Sequence, residues 1–159
     1  MFERILVPLD GSRLSAKALP YAVEMAHRFG AGVILIRVTT PMPGVFARTA
    51  APSLMAPVDP ATAEMVVDQA RRAAQAEERK ARRYLNRHRR GIEGQGIQAS
   101  IRIDAGAAAE RILAACDEEG IDLVVMATRG RGGIRRTLLG SVADRVIRES
   151  GIPVLAIRP

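Results

Sequence analysis

The chain has 159 residues, 48% hydrophobic and 26% charged, the size and balance of one ordinary soluble domain spanning 1–159 that can bury a core without staples. A single cysteine, Cys116, excludes an intramolecular disulfide, and no apolar run approaches the ~18 residues a bilayer span requires, so a soluble, cytoplasmic protein with no membrane partner is expected. The formal net charge of +7 is carried almost wholly by arginine, since Lys17 and Lys80 are the only lysines, and a field of that sign keeps nucleotides and other polyanions among the candidate ligands.

Aromatic residues make up only 3% of the chain, so the core has to be aliphatic. The first apolar run, residues 3 to 9 (ERILVPL), reads as a strand and leads into the loop VPLDGS, residues 7 to 12. A helix is predicted over Ser12 to Phe29, with Leu19, Ala22, Val23, Ala26 and Phe29 on one face and Gly30 as its stop. Pro20 must then lie in its first turn or kink it. Residues 33 to 38 (VILIRV) form the second strand.

Residues 40 to 60 break the rhythm. Pro41, Pro43, Pro52, Pro57 and Pro60 exclude regular structure there, while Met42, Val45, Phe46, Leu54, Met55 and Val58 make the excursion apolar for a linker. A segment folding over the ligand site or a partner, and plain disorder, are the two readings. A helix from Ala61 to about Arg90 follows, with Val67, Ala70, Ala74, Ala81, Leu85 and His88 along one stripe. Strand 97 to 103, helix Ala107 to Glu119, strand 121 to 126, helix Ser141 to Ser150 and strand 153 to 157 complete the order. Five short apolar strands alternating with four helices predict an open α/β domain with a parallel sheet and right-handed crossovers.

In such a sheet, ligands sit beyond the carboxyl ends of the strands where the winding reverses, so the loops after strands are where chemistry is expected. In the first loop, Pro8 cannot donate to a ladder, Gly11 permits a tight turn, Ser12 or Ser15 can cap the next helix, and Asp10 is left to bond a sugar or base. A plain capped turn is the alternative.

The second loop, TRGRGGIRRTLLGS at 128 to 141, holds four glycines and four arginines and no acid. Gly130, Gly132 and Gly133 let backbone N–H groups turn toward a ligand, and Gly140-Ser141 opens a helix whose unpaired N–H groups form an anion site. Arg129, Arg131, Arg135 and Arg136 surround it with guanidinium groups suited to phosphate oxygens. Against this, Ser141 and Asp144 have the spacing of a capping box, which competes for the same N–H groups.

Along its whole length the chain resembles the UspA-type universal stress proteins. The resemblance is carried by RILVPLDGS, VILIRV, GAAAERILAACDEEGIDLVVMATRG and GGIRRTLLGSVADRVIRESGIPVLAIRP. Nucleotide-binding members carry G-x2-G-x9-G followed by Ser or Thr. Here Gly130 and Gly140 keep the second spacing and Ser141 follows, while Ala127 stands where the first glycine belongs, with a Cβ expected to project toward the site. The resemblance implies a Rossmann-like, adenine nucleotide alpha hydrolase-like sheet of order 3-2-1-4-5 flanked by four helices, so that both loops line one crevice. It also implies that Pro8, Leu9, Asp10 and Val38 meet adenine and ribose, and that Met126, Ala127, Arg129, Gly130, Arg131, Gly140, Ser141 and Val142 hold ribose and phosphates. ATP with Mg²⁺ is the implied ligand, with Asp10 able to reach the metal through water. A homodimer through the strand at 153 to 157 is implied as well.

Three functions fit these residues. The leading one is an ATP-binding stress-response protein that uses the nucleotide as a ligand or switch, with slow hydrolysis at most, because no P-loop lysine accompanies the glycines and His27 and His88 fall on helices. The alternative is a stress protein without nucleotide that acts through protein partners. The third is a nucleic-acid binder, suggested by the basic balance; it is disfavoured because the five aromatics are scattered rather than gathered into a stacking platform, and attraction lost at moderate salt would be nonspecific, so no specific nucleic acid is expected.

Overall fold

The computed structural model describes residues 1–40, 60–128 and 140–158. Its strands are β1 (Arg4–Pro8), β2 (Gly32–Thr39), β3 (Ala99–Ala105), β4 (Leu123–Ala127) and β5 (Val154–Ile157), and its helices are α1 (Leu19–Phe29), α2 (Pro60–Glu93), α3 (Ala108–Glu118) and α4 (Ser141–Glu149). The strands form one parallel sheet of order β3-β2-β1-β4-β5, as expected. The Pro-rich excursion lies, from residue 41 to 59, outside the described residues.

Near-continuous apolar strands are required because both faces of the sheet are covered. Alternate residues of β1 and β4 serve the two faces. Ile5, Val7, Leu123 and Val125 join Ala22, Ala26 and Leu85 beneath α1 and α2, while Leu6, Val124 and Met126 join Ile112, Ala115, Cys116 and Val146 beneath α3 and α4. All of these are at most 5% exposed. Burial also raises the Cys116 thiol to about 11, with Asp117 adding to the effect, so a reactive thiolate is not formed there.

Most boundaries move by a residue or two from expectation, and three of the differences have a local reason. The first helix splits into a 3-10 turn at Ser15–Ala18 and α1 from Leu19, which places Pro20 within the first turn, where its missing N–H leaves no bond unmade. Pro60 begins α2 instead of ending the excursion, because proline's fixed φ suits the first helical position. β3 starts two residues later and continues to Ala105, where Asp104 accepts charge-assisted bonds from Arg102 on its own strand and Arg111 on α3.

The apolar stripe assigned to α2 is buried only in its second half. Ala81 and Leu85 are fully buried and His88 is partly so, whereas Val67 is 48% exposed and Ala74 is also exposed. At 1.5 Å per residue this 34-residue helix is about 50 Å long, roughly twice the length of the longest strand it covers, so its first half runs past the sheet.

Candidate functional site

The site arises where the central strands part. β1 pairs with β2 as far as Pro8↔Ile36, but its pairing with β4 ends at Leu6↔Val124. The carboxyl ends of β1 and β4 therefore separate at the reversal of strand order, and Pro8, which has no N–H, stands where pairing with β4 has stopped. The cleft opened there has a volume of about 300 Å³, at the lower end of the range for small-molecule sites.

One wall is the turn after β1. Asp10 Oδ1 accepts the Ser12 N–H at 2.8 Å, Ser12 Oγ accepts the Ser15 N–H at 3.0 Å, and Ser15 Oγ donates to the Ser12 carbonyl at 3.1 Å. Neither serine caps a helix as expected: the N-cap of the 3-10 turn is Leu14 and that of α1 is Ala18, both without a side-chain bond, and the two serines close the turn ahead of them instead. Partial burial pushes the Asp10 carboxyl up, but hydrogen bonds from Ser12 and Ser15 outweigh it and hold the group below its ordinary 3.8. Gly11, at φ +86°, sits in the left-handed region. A Cβ built there would lie 2.5 Å from Arg37 Nη1, so the β2 arginine packs directly on this turn. The Arg37 guanidinium in turn lies 5.7 Å over the ring of Tyr84 on α2. The Asp10 turn is therefore set by its own hydrogen bonds and braced from behind.

The facing wall is built from helix starts. Gly140 is the N-cap of α4, with extended angles (φ −61°, ψ 150°), and its carbonyl accepts the Asp144 N–H at 2.9 Å. Among the described residues no side chain caps this helix. The capping box expected from Ser141 and Asp144 is not formed. Gly140 already occupies the cap position, Ser141 becomes the first helical residue, and the Asp144 carboxylate pairs instead with Arg148 at 2.6 Å. The first N–H groups of α4 are left for a ligand, at the positive end of the helix dipole. A second helix start, that of α3 at Ala108, borders the same cleft and also lacks a side-chain cap.

Of the twelve residues singled out in the sequence, Pro8, Leu9, Asp10, Val38, Met126, Ala127, Gly140, Ser141 and Val142 line this one cleft, and Arg129, Gly130 and Arg131 lie outside the described residues. Two differ in detail from expectation. Leu9 is 2% exposed and its side chain serves the α1–α2 core. Ala127 packs against that same core, on the strand face of Leu123 and Val125, so its methyl is shared between core and cleft wall instead of projecting wholly into the site. The sequence reading missed Ile36, Ile112 and Ala143 at the floor and Thr128 at the end of β4. Thr128 is 1% exposed and its N–H donates to the Ile157 carbonyl at 2.8 Å. Its position directly after an apolar strand was the available signal.

No group of three or more His, Cys, Asp or Glu residues that could hold a metal occurs among the described residues. Asp10 is the single carboxylate on the cleft wall among them, with hydroxyls from Ser12, Ser15, Thr128 and Ser141. Such a donor set suits Mg²⁺ held largely by phosphates and water, not by a protein cage. No helix among the described residues is long and apolar enough to cross a membrane.

Comparison with known proteins matches residues 1–158 to the model of the universal stress protein family. The universal stress protein YxiE of Bacillus subtilis is 33% identical over 99% of this chain and 100% of its own length. The solved structure of MJ0577, from Methanocaldococcus jannaschii, aligns with a TM-score of 0.77 at 23% identity, covering 100% of this chain and 97% of that one. A universal stress protein solved in complex with cAMP aligns with a TM-score of 0.67 at 21% identity, covering 99% and 97%. At these identities the two structures establish the shared fold.

Proposed function

The chain belongs to the universal stress protein family, and on that premise we propose that it binds an adenine nucleotide, ATP with Mg²⁺, in the cleft between the carboxyl ends of β1 and β4. The observation that carries this reading is the pairing, across one cleft, of a carboxylate turn with an uncapped helix start. A nucleoside presents hydroxyls and ring nitrogens at one end and phosphate oxygens at the other, and the two walls offer the matching groups in that order. The cAMP complex of a relative with the same fold supports the adenine moiety.

In this reading Asp10 bonds the ribose or base, Pro8, Leu9 and Val38 border the adenine, and Met126 and Ala127 support the ribose. The N–H groups of Ser141 and Val142, with Gly140 allowing close approach, hold the phosphates, and Arg129, Gly130 and Arg131 complete the phosphate loop. Mg²⁺ travels with the phosphates, within reach of the Ser141 hydroxyl and, through water, of Asp10. The nucleotide acts as a ligand or switch. No histidine or lysine lines the cleft among the described residues, and one carboxylate already committed to a backbone N–H is a poor base for rapid hydrolysis. We further infer that residues 1–159 act as one cytoplasmic domain and pair as a homodimer through β5, an edge of the sheet.

Calorimetric titration of nucleotide-stripped protein tests the reading. Mg·ATP and AMP are expected to bind with micromolar affinity while GTP gives no heat. Absence of heat with every adenine nucleotide would overturn it in favour of a protein that works through partners.

A further inference from the structure

We propose that the outer face of α2 is a docking surface for the phosphodiester backbone of nucleic acid, read without regard to base sequence. The reading does not rest on the nucleotide cleft, which opens at the carboxyl ends of β1 and β4 and is lined by none of the arginines named below.

Between Arg79 and Ile92, α2 carries seven cationic side chains and no acid. Three cations of this helix segment are neutralised locally: Lys80 by Glu77, Arg82 by Glu78 and Arg89 by Glu93. The other four, Arg79, Arg83, Arg87 and Arg90, are all exposed and have no carboxylate partner among the described residues. Their spacing is i, i+4, i+8 and i+11, which on an α-helix falls within about 80° of arc and runs about 16 Å along the axis. Ala81, Leu85 and Ile92, the buried residues of the same segment, point the opposite way onto β2 and β3. Sheet packing therefore fixes a straight row of four unpaired guanidinium groups facing solvent.

A row of this kind matches a polymer with evenly repeated negative charges. Guanidinium groups bond phosphate oxygens in pairs, and exposed arginines gain by releasing the counterions that such a polymer condenses. Nucleic acid is favoured over an anionic membrane because Ala76, Lys80, Asn86 and Gly94, which flank the row, supply no apolar side chain large enough to enter a bilayer. Bases are not read. Tyr84, the aromatic residue of the segment, packs against the core and beneath Arg37, so no stacking platform accompanies the arginines.

The test is fluorescence anisotropy with the full chain and a labelled 20-base-pair duplex, titrated at several NaCl concentrations, with a second duplex of shuffled sequence. Equal affinity for both duplexes is expected, and log K should fall with log salt at a slope of about −3.6, for four phosphate contacts. Combined Arg79→Gln, Arg83→Gln, Arg87→Gln and Arg90→Gln should abolish binding without lowering Tm, and each single change should reduce the slope by about 0.9. A charge-matched control with Arg28, Arg72, Arg82 and Arg145 replaced by glutamine should keep the duplex affinity within about twofold. Equal loss in the control would overturn the proposal in favour of net charge alone. Retained DNA binding with loss of binding to phosphatidylserine vesicles would overturn it in favour of a membrane surface.

Discussion

The two walls of the cleft solve opposite problems. On the β1 side, Asp10 Oδ1, Ser12 and Ser15 are tied together by hydrogen bonds within the turn, and Arg37 packs on Gly11 from behind, so the turn is shaped before a ligand arrives. On the β4 side, the cap position of α4 is filled by a glycine that offers no side chain, and the one nearby acid, Asp144, is drawn away to Arg148. One wall is preorganised in shape, and the other is left unsatisfied in charge. The first wall should therefore tune affinity for the nucleoside, while the second should decide whether an anion binds at all.

The sharpest way to break that division is to fill the empty cap. A Cβ at Gly140 would meet nothing within 4 Å among the described residues, and the backbone there is extended, so Gly140→Asp introduces no backbone strain. Aspartate at an N-cap is a better partner for the first N–H groups than glycine, and its charge suits the dipole, together about 0.5 kcal/mol of added stability or a Tm higher by roughly 1–2 °C. The same carboxylate would face the phosphates, so nucleotide affinity should drop at least about 100-fold. Gly140→Asn, which caps without charge, should cost only about tenfold. Thermal melts and calorimetry on the two variants check this, and an aspartate variant that still binds would mean the helix start holds no phosphate.

The opposite wall is broken through its brace. Gly11→Ala would combine a positive φ with a Cβ 2.5 Å from Arg37 Nη1, and should cost about 1–2 kcal/mol of stability. Part of that cost should vanish in an Arg37→Ala background, where the steric partner is gone, and the strain of φ should remain. Arg37→Ala alone should weaken AMP and ATP by the same factor, about fivefold to tenfold, because the turn meets the nucleoside that both share. A larger loss for ATP would instead place Arg37 on the phosphates.

Much of this arrangement was legible in the sequence, and the reasons are local. Five apolar runs that need cover on both faces dictate a parallel sheet, and Pro8, Asp10 and the Gly140-Ser141 step are punctuation that short-range sterics make readable. What could not be read depends on tertiary contact. The stripe from Val67 to Ala74 has the same period as the one from Ala81 to Leu85, and only the extent of the sheet determines which half is buried. Ser141 and Asp144 have capping-box spacing, yet the extended angles of Gly140 move the cap back by one residue. Arg37 resembled any strand arginine until the fold set it between Gly11 and Tyr84.

A milder change sharpens the preorganised wall. Asp10 is held below its ordinary value, so its hydrogen bonds contribute stability above about pH 4, and that contribution is lost as pH falls through the depressed folded-state pKa. Asp10→Asn should remove this pH dependence, and its Tm deficit relative to the parent should shrink as the pH is lowered below about 4. Nucleotide affinity should fall about fivefold at pH 7, with no dependence between pH 6 and 8 attributable to this group.

The smallest expected effect is at Ala127, where the family's pattern has glycine. Because the methyl packs against the α1–α2 core as well as bordering the cleft, its removal opens little room for a ligand and takes some contact from the core. Ala127→Gly should raise ATP affinity no more than about threefold and lower stability by about 0.5–1 kcal/mol, the ordinary cost of glycine at the end of a strand. Parallel titrations and melts of the two proteins read both quantities. A gain of tenfold or more would show that the methyl group obstructs the site, and would make this alanine the residue that sets how tightly the chain holds its nucleotide.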